Sequence, residues 1–195
     1  NPLQAVNSRM ILNVALNCNQ AQLKPSQNGY EVEGDPTEGA LLVMAAKAGL
    51  HIRQKILREI PLDSNRKCMT TIIEENGEYL ALVKGALEVI LPACDRLIKP
   101  EGILMLSHNE QKYFLKLQAQ WADEAMRVLG FAYKPLPSGK WENMSDKELE
   151  SGLILAGICG MIDPPRQATP RSIRQCISAG IIPVMITGDH PLTAS

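Results

Sequence analysis

The chain has 195 residues and a formal net charge of −1, with 45% hydrophobic and 21% charged residues. These values are typical of a globular protein that is long enough to bury a substantial apolar core. The near-neutral charge gives no electrostatic argument for binding nucleic acid or an anionic membrane surface. Any phosphate bound by this chain is therefore expected to be held by a few well-placed cations.

The five cysteines and three histidines are scattered along the chain, and no pair of cysteines has CxxC spacing. This pattern argues against a disulfide framework or a zinc site and is typical of a reducing cytosol. No signal peptide is visible, and the longest apolar run, residues 152–162, is roughly half as long as the ~20 residues of a membrane helix. By itself the sequence predicts a soluble chain without direct membrane contact.

The first part of the chain predicts two helices joined by a polar loop. Apolar residues at helical spacing predict a helix over 8–18, and residues 19–34 are predicted to form the loop. The second helix has a clear start, because Asp35 can cap it, a proline fits its first position and Glu38 lies three residues after the cap. Gly49 is predicted to end it.

Strands are predicted next. Residues 55–62 alternate loosely, and residues 68–74 and 78–83 flank the pair Asn76-Gly77, the strongest short hairpin signal. A short helix is predicted over 87–94. These segments indicate an antiparallel sheet.

A long helix is predicted over 107–130, since Ser107 and Glu110 can form a capping box. A strand over 130–135 and a short capped helix over 145–151 are predicted to follow.

The pattern changes from residue 152 onward. A buried strand is predicted to end at DPPR, residues 163–166, followed by a helix over 168–179 and a second buried strand over 181–187. The β-α-β order of this region predicts a parallel arrangement.

Motifs that commonly bind phosphate are absent from the sequence, which contains no GxxxxGK[ST] and no GxGxxG. GxSxG and HExxH are absent as well. Each of the short motifs that remain has a purely structural explanation: a helix start, a loop entering a strand, a turn between strand and helix, or the end of a strand. These motifs are GDPTEGALL (34–42), NRKCMT (65–70), VKGALEVIL (83–91), and DPPR (163–166) with MITGDHPLTA (185–194).

Taken together and in this order, the motifs resemble the cytoplasmic part of P-type cation-transporting ATPases, especially the calcium-pump-like group. The resemblance implies an α+β fold. An antiparallel nucleotide-binding domain with flanking helices would span 1–162. Residues 163–195 would form a hinge and the β-α-β start of a haloacid-dehalogenase-like phosphorylation domain.

The family's phosphorylated aspartate lies in a DKTGT motif, which this sequence lacks. The chain is therefore expected to be a piece of a larger pump, with no catalytic nucleophile of its own, and to bind ATP without hydrolysing it. The resemblance further implies a cytoplasmic domain of an integral membrane protein that transports a cation, with calcium expected. Mg²⁺ would act in the complete enzyme, and the partners would be ATP and the remaining phosphorylation, actuator and transmembrane domains, with no nucleic acid.

On the base side of the expected ATP site, the resemblance implies that Glu38 accepts a hydrogen bond from the adenine amino group. Lys84 would line the pocket floor, and Gly85 would let the base approach the backbone. Leu62 stands where the family has an aromatic residue that stacks on adenine, so weak binding is expected. The full expected set is Glu38, Leu62, Lys67, Met69, Lys84, Gly85, Ala86, Arg127 and Leu129.

On the phosphate side, the resemblance implies that Lys67 and Arg127 reach the ribose or the phosphates, with Arg127 near the end of the long helix. Leu129 would pack on the sugar or base. The expected hinge and phosphate-side residues are Asp163, Arg166, Thr187, Gly188 and Asp189. No metal ligand is expected within the chain itself.

Two other interpretations differ in class. A regulatory or interaction domain could have kept this fold and lost nucleotide binding, which the leucine at position 62 makes conceivable. A free-standing phosphatase of the haloacid-dehalogenase type lacks its nucleophile in this sequence.

Overall fold

The computed structural model describes residues 3–27, 29–163 and 168–184. In these ranges the chain forms six α-helices, one short 3-10 helix and nine strands, which confirms the predicted α+β class. The helices are α1 (Val6–Asn17), α2 (Pro36–Lys47), α3 (Leu87–Ala93), α4 (His108–Asp123), α5 (Asp146–Leu149) and α6 (Thr169–Ser178), with the 3-10 helix at Trp141–Asn143. The strands are β1 (Gln22–Ser26), β2 (Gly29–Glu33), β3 (Ile56–Ile60), β4 (Cys68–Glu75), β5 (Glu78–Ala86), β6 (Cys94–Lys99), β7 (Gly102–Met105), β8 (Arg127–Leu136) and β9 (Leu153–Met161).

Seven strands form the main sheet in the order β3-β4-β5-β8-β9-β6-β7. All neighbours are antiparallel except β6 and β9, which are parallel. The predicted hairpin is confirmed as β4–β5, with register from Cys68↔Gly85 to Glu75↔Glu78. This hairpin and β8 form the part of the sheet on which the candidate site is built.

The two faces of the sheet bury different sets of side chains, because successive residues of a strand point to opposite sides. On one face, Met69, Leu82 and Phe131 pack with Val14 and Ala15 of α1. The opposite face packs mainly against α3, and its cluster contains Cys68, Val83, Leu87, Ile90 and Ala132. Burying a large apolar side chain stabilises a fold by about 1.5–3 kcal/mol, so both faces contribute strongly.

The predicted polar loop over 19–34 is wrong for most of its length, because β1 and β2 form a separate two-stranded hairpin there. Every residue of β2 is exposed, so the alternation that marks a half-buried strand is missing from this segment. The Asn-Gly pair at 28–29 was the available signal for this hairpin.

The predicted long helix ends earlier than expected, at Asp123. The chain turns at Ala125, whose φ of +58° lies in the left-handed region, and β8 begins two residues later at Arg127. No glycine marks this helix end, so the sequence carries no stop signal there. The β6–β7 hairpin was also missed, although Pro100 and Gly102 lie at its turn.

The last predicted elements have mixed outcomes. Strand β9 lies in the main sheet between β8 and β6, and α6 agrees with the predicted helix over 168–179. Residues 181–184 are not in a strand, and Ile181, Ile182 and Val184 are exposed, so the predicted buried strand is wrong over these residues. Its remainder, 185–187, lies outside the described residues.

Two further points concern the chain as a whole. The domain boundary near residue 163 stays a prediction. In the described part of the chain, every helix is too short or too polar to cross a membrane.

Candidate functional site

A cleft of about 550 Å³ opens where four parts of the fold meet: the first turn of α2, the β3–β4 loop, the junction of β5 with α3, and the start of β8. Eight of the nine expected ATP-binding residues line it, and Met69 is the exception. Among the described residues, the lining consists of Asp35, Thr37, Glu38, Leu41, Leu62, Asp63, Ser64, Lys67, Lys84, Gly85, Ala86, Glu88, Arg127, Val128 and Leu129.

The first turn of α2 forms one wall of the cleft. The Asp35 side chain accepts a hydrogen bond from the backbone N–H of Glu38 at 3.1 Å, and Pro36 occupies the first helical turn, as predicted. The Glu38 side chain does not close a capping box and instead points to Lys84. The local sequence therefore starts the helix, while a distant residue orients its glutamate.

Glu38 and Lys84 form the central charge pair of the cleft. The Lys84 Nζ lies 2.7 Å from Glu38 Oε1, and the two side chains are only 6% and 13% exposed. Glu38 Oε2 accepts from the backbone N–H groups of Gln20 at 2.9 Å and Ala21 at 3.2 Å. One ammonium and two backbone N–H groups therefore stabilise a carboxylate that would otherwise be costly to bury.

A buried thiol lies beside this pair. Burial raises the pKa of Cys18 to about 11, and the nearby Lys84 ammonium partly opposes that rise. The Cys18 Sγ donates to the backbone oxygen of Met69 at 3.3 Å. At neutral pH this thiol is uncharged, so it adds packing and one hydrogen bond below the cleft, and no charge.

Met69 does not line the cleft, contrary to the sequence-based expectation. Its side chain is fully buried in the core under α1, on the same face of the sheet as its register partner Lys84. The motif placed Met69 close in sequence to the site, but the packing of α1 on this face of the sheet covers Met69 and places it in the core. It supports the strand that carries Lys84.

The structure gives a reason for a glycine at position 85 that differs from the expected approach of a base. A Cβ at this position would lie 2.4 Å from the backbone oxygen of Lys67 and 2.7 Å from the Cβ of Cys68. The Lys67 oxygen also accepts from the backbone N–H of Ala86 at 3.0 Å. Gly85 is therefore required for the close approach of the β3–β4 loop, whether or not a base is bound.

The β3–β4 loop forms the second wall of the cleft. Asp63 accepts from the backbone N–H groups of Arg66 and Asn65, and these two bonds lower the pKa of its carboxyl group. Lys67 has a φ of +52°, and its Nζ lies 3.3 Å from Glu88 Oε1 in an exposed pair. Leu62, 64% exposed, presents an aliphatic surface to the cleft, and none of the aromatic residues lines it.

Arg127 reaches the cleft from the first residue of β8, not from a helix end as expected. Its Nη1 donates to the Thr37 hydroxyl at 2.9 Å, which connects β8 to the first turn of α2. Leu129 lies two residues further along the same strand, opposite Ala86 of β5. Pairing of β8 with β5 therefore brings both residues to the cleft.

In the part of the chain that the structure describes, the lining contains four carboxylates and three cations, which give no general positive field. Lys67 and Arg127 are exposed at its rim, whereas Lys84 is buried at its centre. Such an arrangement can offer a carboxylate acceptor deep in the cleft and cations at its mouth. The sequence-based site did not include the lining residues Asp35, Thr37, Leu41, Asp63, Ser64, Glu88 and Val128. The available signal was their position inside the motifs, for Asp35, Thr37, Leu41 and Glu88, or close to the expected site residues, for the others.

The expected hinge and phosphate-side residues lie mostly outside the described part of the chain. Asp163 is exposed just after β9, while Arg166, Thr187, Gly188 and Asp189 fall outside the described residues. Within the described ranges, no group of three or more His, Cys, Asp or Glu side chains could hold a metal ion.

Comparison with known proteins gives a consistent result. A family model described as P-type ATPase, cytoplasmic domain N, matches residues 7–168. The chain is 38% identical over 192 residues to calcium-transporting ATPase 1 of Bacillus cereus, a match that covers 95% of this chain and 21% of that protein. It is 37% identical over 200 residues to the calcium-transporting ATPase of Bacillus subtilis, covering 99% of this chain and 22% of that protein.

A relative that is named for the transport of other cations is also similar. The sodium/potassium-transporting ATPase subunit alpha-B of Artemia franciscana is 33% identical over 206 residues, covering 95% of this chain and 20% of that protein. The chain thus spans about a fifth of the length of the curated relatives it matches.

Proposed function

Since this chain belongs to the P-type ATPase family, in the region described as cytoplasmic domain N, we propose that it binds ATP in the cleft between α2, the β3–β4 loop and β8. The observation that carries the proposal is the convergence of three separate motifs on one cleft: Glu38 from GDPTEGALL, Lys67 from NRKCMT, and Lys84 from VKGALEVIL. These residues are far apart in sequence, so their convergence is not a consequence of local order.

In the proposed complex, the adenine lies beside the Glu38–Lys84 pair. An ionised carboxylate offers about four acceptor positions, and three of those on Glu38 are occupied. The remaining position, on the Oε1 side, accepts the exocyclic amine of adenine. The aliphatic side chains of Leu62 and Leu129 contact the base and sugar.

The phosphates lie toward the mouth of the cleft, near Lys67 and Arg127. A compact ammonium acts there as a point charge, and a guanidinium can bind two phosphate oxygens. With no aromatic stacking on the base, which typically contributes ~1–3 kcal/mol, we expect a dissociation constant approaching ~1 mM.

We further propose that this domain serves a cation-transporting ATPase, together with phosphorylation, actuator and transmembrane domains of the same polypeptide. Calcium is the proposed cation, supported by the names of relatives that are 37–38% identical. Phosphoryl transfer in such an enzyme uses Mg²⁺ to neutralise charge on the phosphates. Because the sequence has no DKTGT motif, we propose that this chain binds ATP without hydrolysing it.

The test is an ATP titration of the purified chain, followed by calorimetry and by amide chemical shifts. The proposal expects saturable shifts at residues of the cleft such as Glu38 and Lys84, and none around Tyr30 of the exposed β2 strand. Absence of binding up to ~10 mM ATP, about tenfold above the expected dissociation constant, would contradict it and favour a regulatory or interaction domain.

The hydrolysis part is tested separately. We expect no phosphate release above background and no acid-stable phosphoenzyme from the purified chain. A phosphoenzyme located on this chain by mass spectrometry would overturn that expectation.

A further inference from the structure

Glu38 is held by a short turn, Asn19–Ala21, that joins α1 to β1. Two backbone N–H groups of this turn, those of Gln20 and Ala21, donate to Glu38 Oε2. These donors keep Oε2 occupied and leave Oε1 for Lys84 and one further donor. The position of the free acceptor therefore depends on the position of the turn.

The turn is organised by the buried side chain of Asn19, which is 1% exposed. Its Nδ2 donates to the backbone oxygen of Ala15 at 3.0 Å and to the backbone oxygen of Glu38 at 2.9 Å. Its Oδ1 accepts from the backbone N–H of Ala21 at 2.9 Å, so that this N–H is shared between Asn19 and Glu38 Oε2. One amide thus binds the end of α1, the first turn of α2 and the turn between them.

A second group holds the same turn from the outside. The Arg53 Nη2 donates to the backbone oxygen of Ala21 at 2.7 Å. Arg53 does not line the cleft and has no described hydrogen bond to α2, although its guanidinium interacts electrostatically with the Glu38 carboxylate. It provides a second way to loosen the turn.

We propose that Asn19 is a positioning residue that sets base specificity by fixing the free acceptor of Glu38. This inference rests on the proposed function, because it assumes that Glu38 faces the base. A fixed acceptor favours adenine, which carries an amine at C6, over hypoxanthine, which carries a carbonyl oxygen there. Two acceptors cannot hydrogen-bond, so the C6 carbonyl of ITP leaves the remaining Oε1 acceptor position unfilled, while its phosphates are identical to those of ATP.

The experiment measures dissociation constants for ATP and ITP in wild type, Asn19→Ala and Asn17→Ala. Asn17 is the matched control, since it is equally buried on α1 and its Nδ2 and Oδ1 bond to Asn13 and to the backbone N–H of Gln54 instead. We expect wild type to bind ITP about tenfold more weakly than ATP. The ratio of the ITP dissociation constant to the ATP dissociation constant should fall to about threefold or less in Asn19→Ala. It should stay near the wild-type value in Asn17→Ala.

Loss of a buried amide can also unfold the chain, so a milder pair of variants is included. Arg53→Ala should lower the ratio in the same direction, by a smaller factor. Its control is Arg58→Ala, which removes an arginine that donates to the backbone oxygen of Met144 and to Asp146. Because ATP and ITP carry the same charge, any change in the attraction of the chain for the phosphates cancels in this ratio.

The outcomes separate the two proposals. If wild type binds neither nucleotide, the proposed function fails and this inference fails with it. If wild type binds ATP and ITP equally, ATP binding stands and the role of Asn19 is excluded. A ratio unchanged in folded Asn19→Ala, or in Arg53→Ala where Asn19→Ala does not fold, overturns the inference, as does an equal fall in Asn17→Ala.

Discussion

Two partly buried ion pairs lie on opposite sides of the β4–β5 hairpin, and their comparison separates a candidate binding role from a purely structural one. On one side, Glu38 forms an ion pair with Lys84 and accepts hydrogen bonds from two backbone N–H groups. On the other side, Glu150 forms an ion pair with Arg66 and accepts a hydrogen bond from the Thr70 hydroxyl. The side chains of Glu150 and Arg66 are 14% and 29% exposed. Both pairs connect distant segments, so the chemistry of a pair alone does not identify a ligand site.

The surroundings of the two pairs differ. The cleft at Glu38 also gathers Lys67 and Arg127 from two further segments. The cleft at Glu150, about 630 Å³, carries Asp146 and Lys147 from the same short helix, and Arg66 is committed to Glu150. The cleft at Glu38 therefore differs in gathering two cations from separate segments at its mouth, where the phosphates are proposed to bind.

We expect the largest difference between the two ion pairs when the carboxylate of each is removed in turn. Glu38→Ala leaves the buried Lys84 ammonium unpaired, so we expect the free energy of unfolding to fall by about 3 kcal/mol. ATP affinity should fall about tenfold, because a hydrogen bond to a charged group is lost. Urea unfolding and ATP calorimetry measure the two effects.

The matched variant is Glu150→Ala. It leaves a less buried arginine unpaired, so we expect a stability loss of about 1–2 kcal/mol and wild-type ATP affinity. Equal losses of ATP affinity in both variants would show that the two pairs do not differ as proposed.

A substitution in the cleft at Glu38 is expected to raise the affinity for ATP. Leu62→Phe places a π surface where an exposed leucine now faces the cleft, and we expect a several-fold gain, worth about 1 kcal/mol. Adenosine should gain as much as ATP, because the change concerns the base. Calorimetry with both ligands measures it.

The control for this gain is Ile52→Phe, which changes an aliphatic residue that is 84% exposed and outside the cleft lining. It should leave both affinities unchanged. No gain in a folded Leu62→Phe would place the base elsewhere.

A smaller effect is expected from the exposed rim. Lys67→Ala should weaken ATP binding about threefold and leave adenosine binding unchanged, since an exposed ammonium acts only on the phosphates. The effect should shrink at high salt. Lys24→Ala, which removes another exposed lysine from an ion pair with Glu33, is the control and should change neither affinity.

The smallest effect concerns a third carboxylate, that of Glu110, which also accepts several hydrogen bonds but lies outside both clefts. Hydrogen bonds from Lys99 and Ser107 lower the pKa of Glu110 from an ordinary 4.5 to about 2. Its folded pKa is below its unfolded one, so its stabilisation is complete above about pH 4.5 and is lost as pH falls toward 2. Nucleotide binding should not depend on it.

Urea unfolding of wild type and Glu110→Gln at several pH values measures this contribution. The difference in unfolding free energy between the two proteins should be largest near pH 7 and should vanish near pH 2. Glu78→Gln, a change at an exposed residue of β5, is the control. A difference that stays constant with pH would mean that the Glu110 carboxylate does not ionise more easily in the folded chain.

Sequence signals that act within a few residues were reliable in this chain. Asp35 and its following proline predict the start of α2, Ser107 and Glu110 predict the start of α4, and Asn76-Gly77 predicts the hairpin. Each of these signals acts through a cap or a turn, between residues at most four positions apart. The residue types of the candidate site were likewise available from the motifs, through their resemblance to a family.

Contacts between distant segments were decided only by the tertiary structure. Glu38 and Lys84 are 46 positions apart, and only the packing of α2 beside β5 gives the glutamate its partner. The packing of α1 places Met69 in the core. The early end of α4 places Arg127 on β8, where pairing with β9 forms strand in place of helix. The physical reason is common to these cases: caps and turns are satisfied by neighbouring residues, whereas burial and ion pairing depend on which distant surfaces the chain brings together.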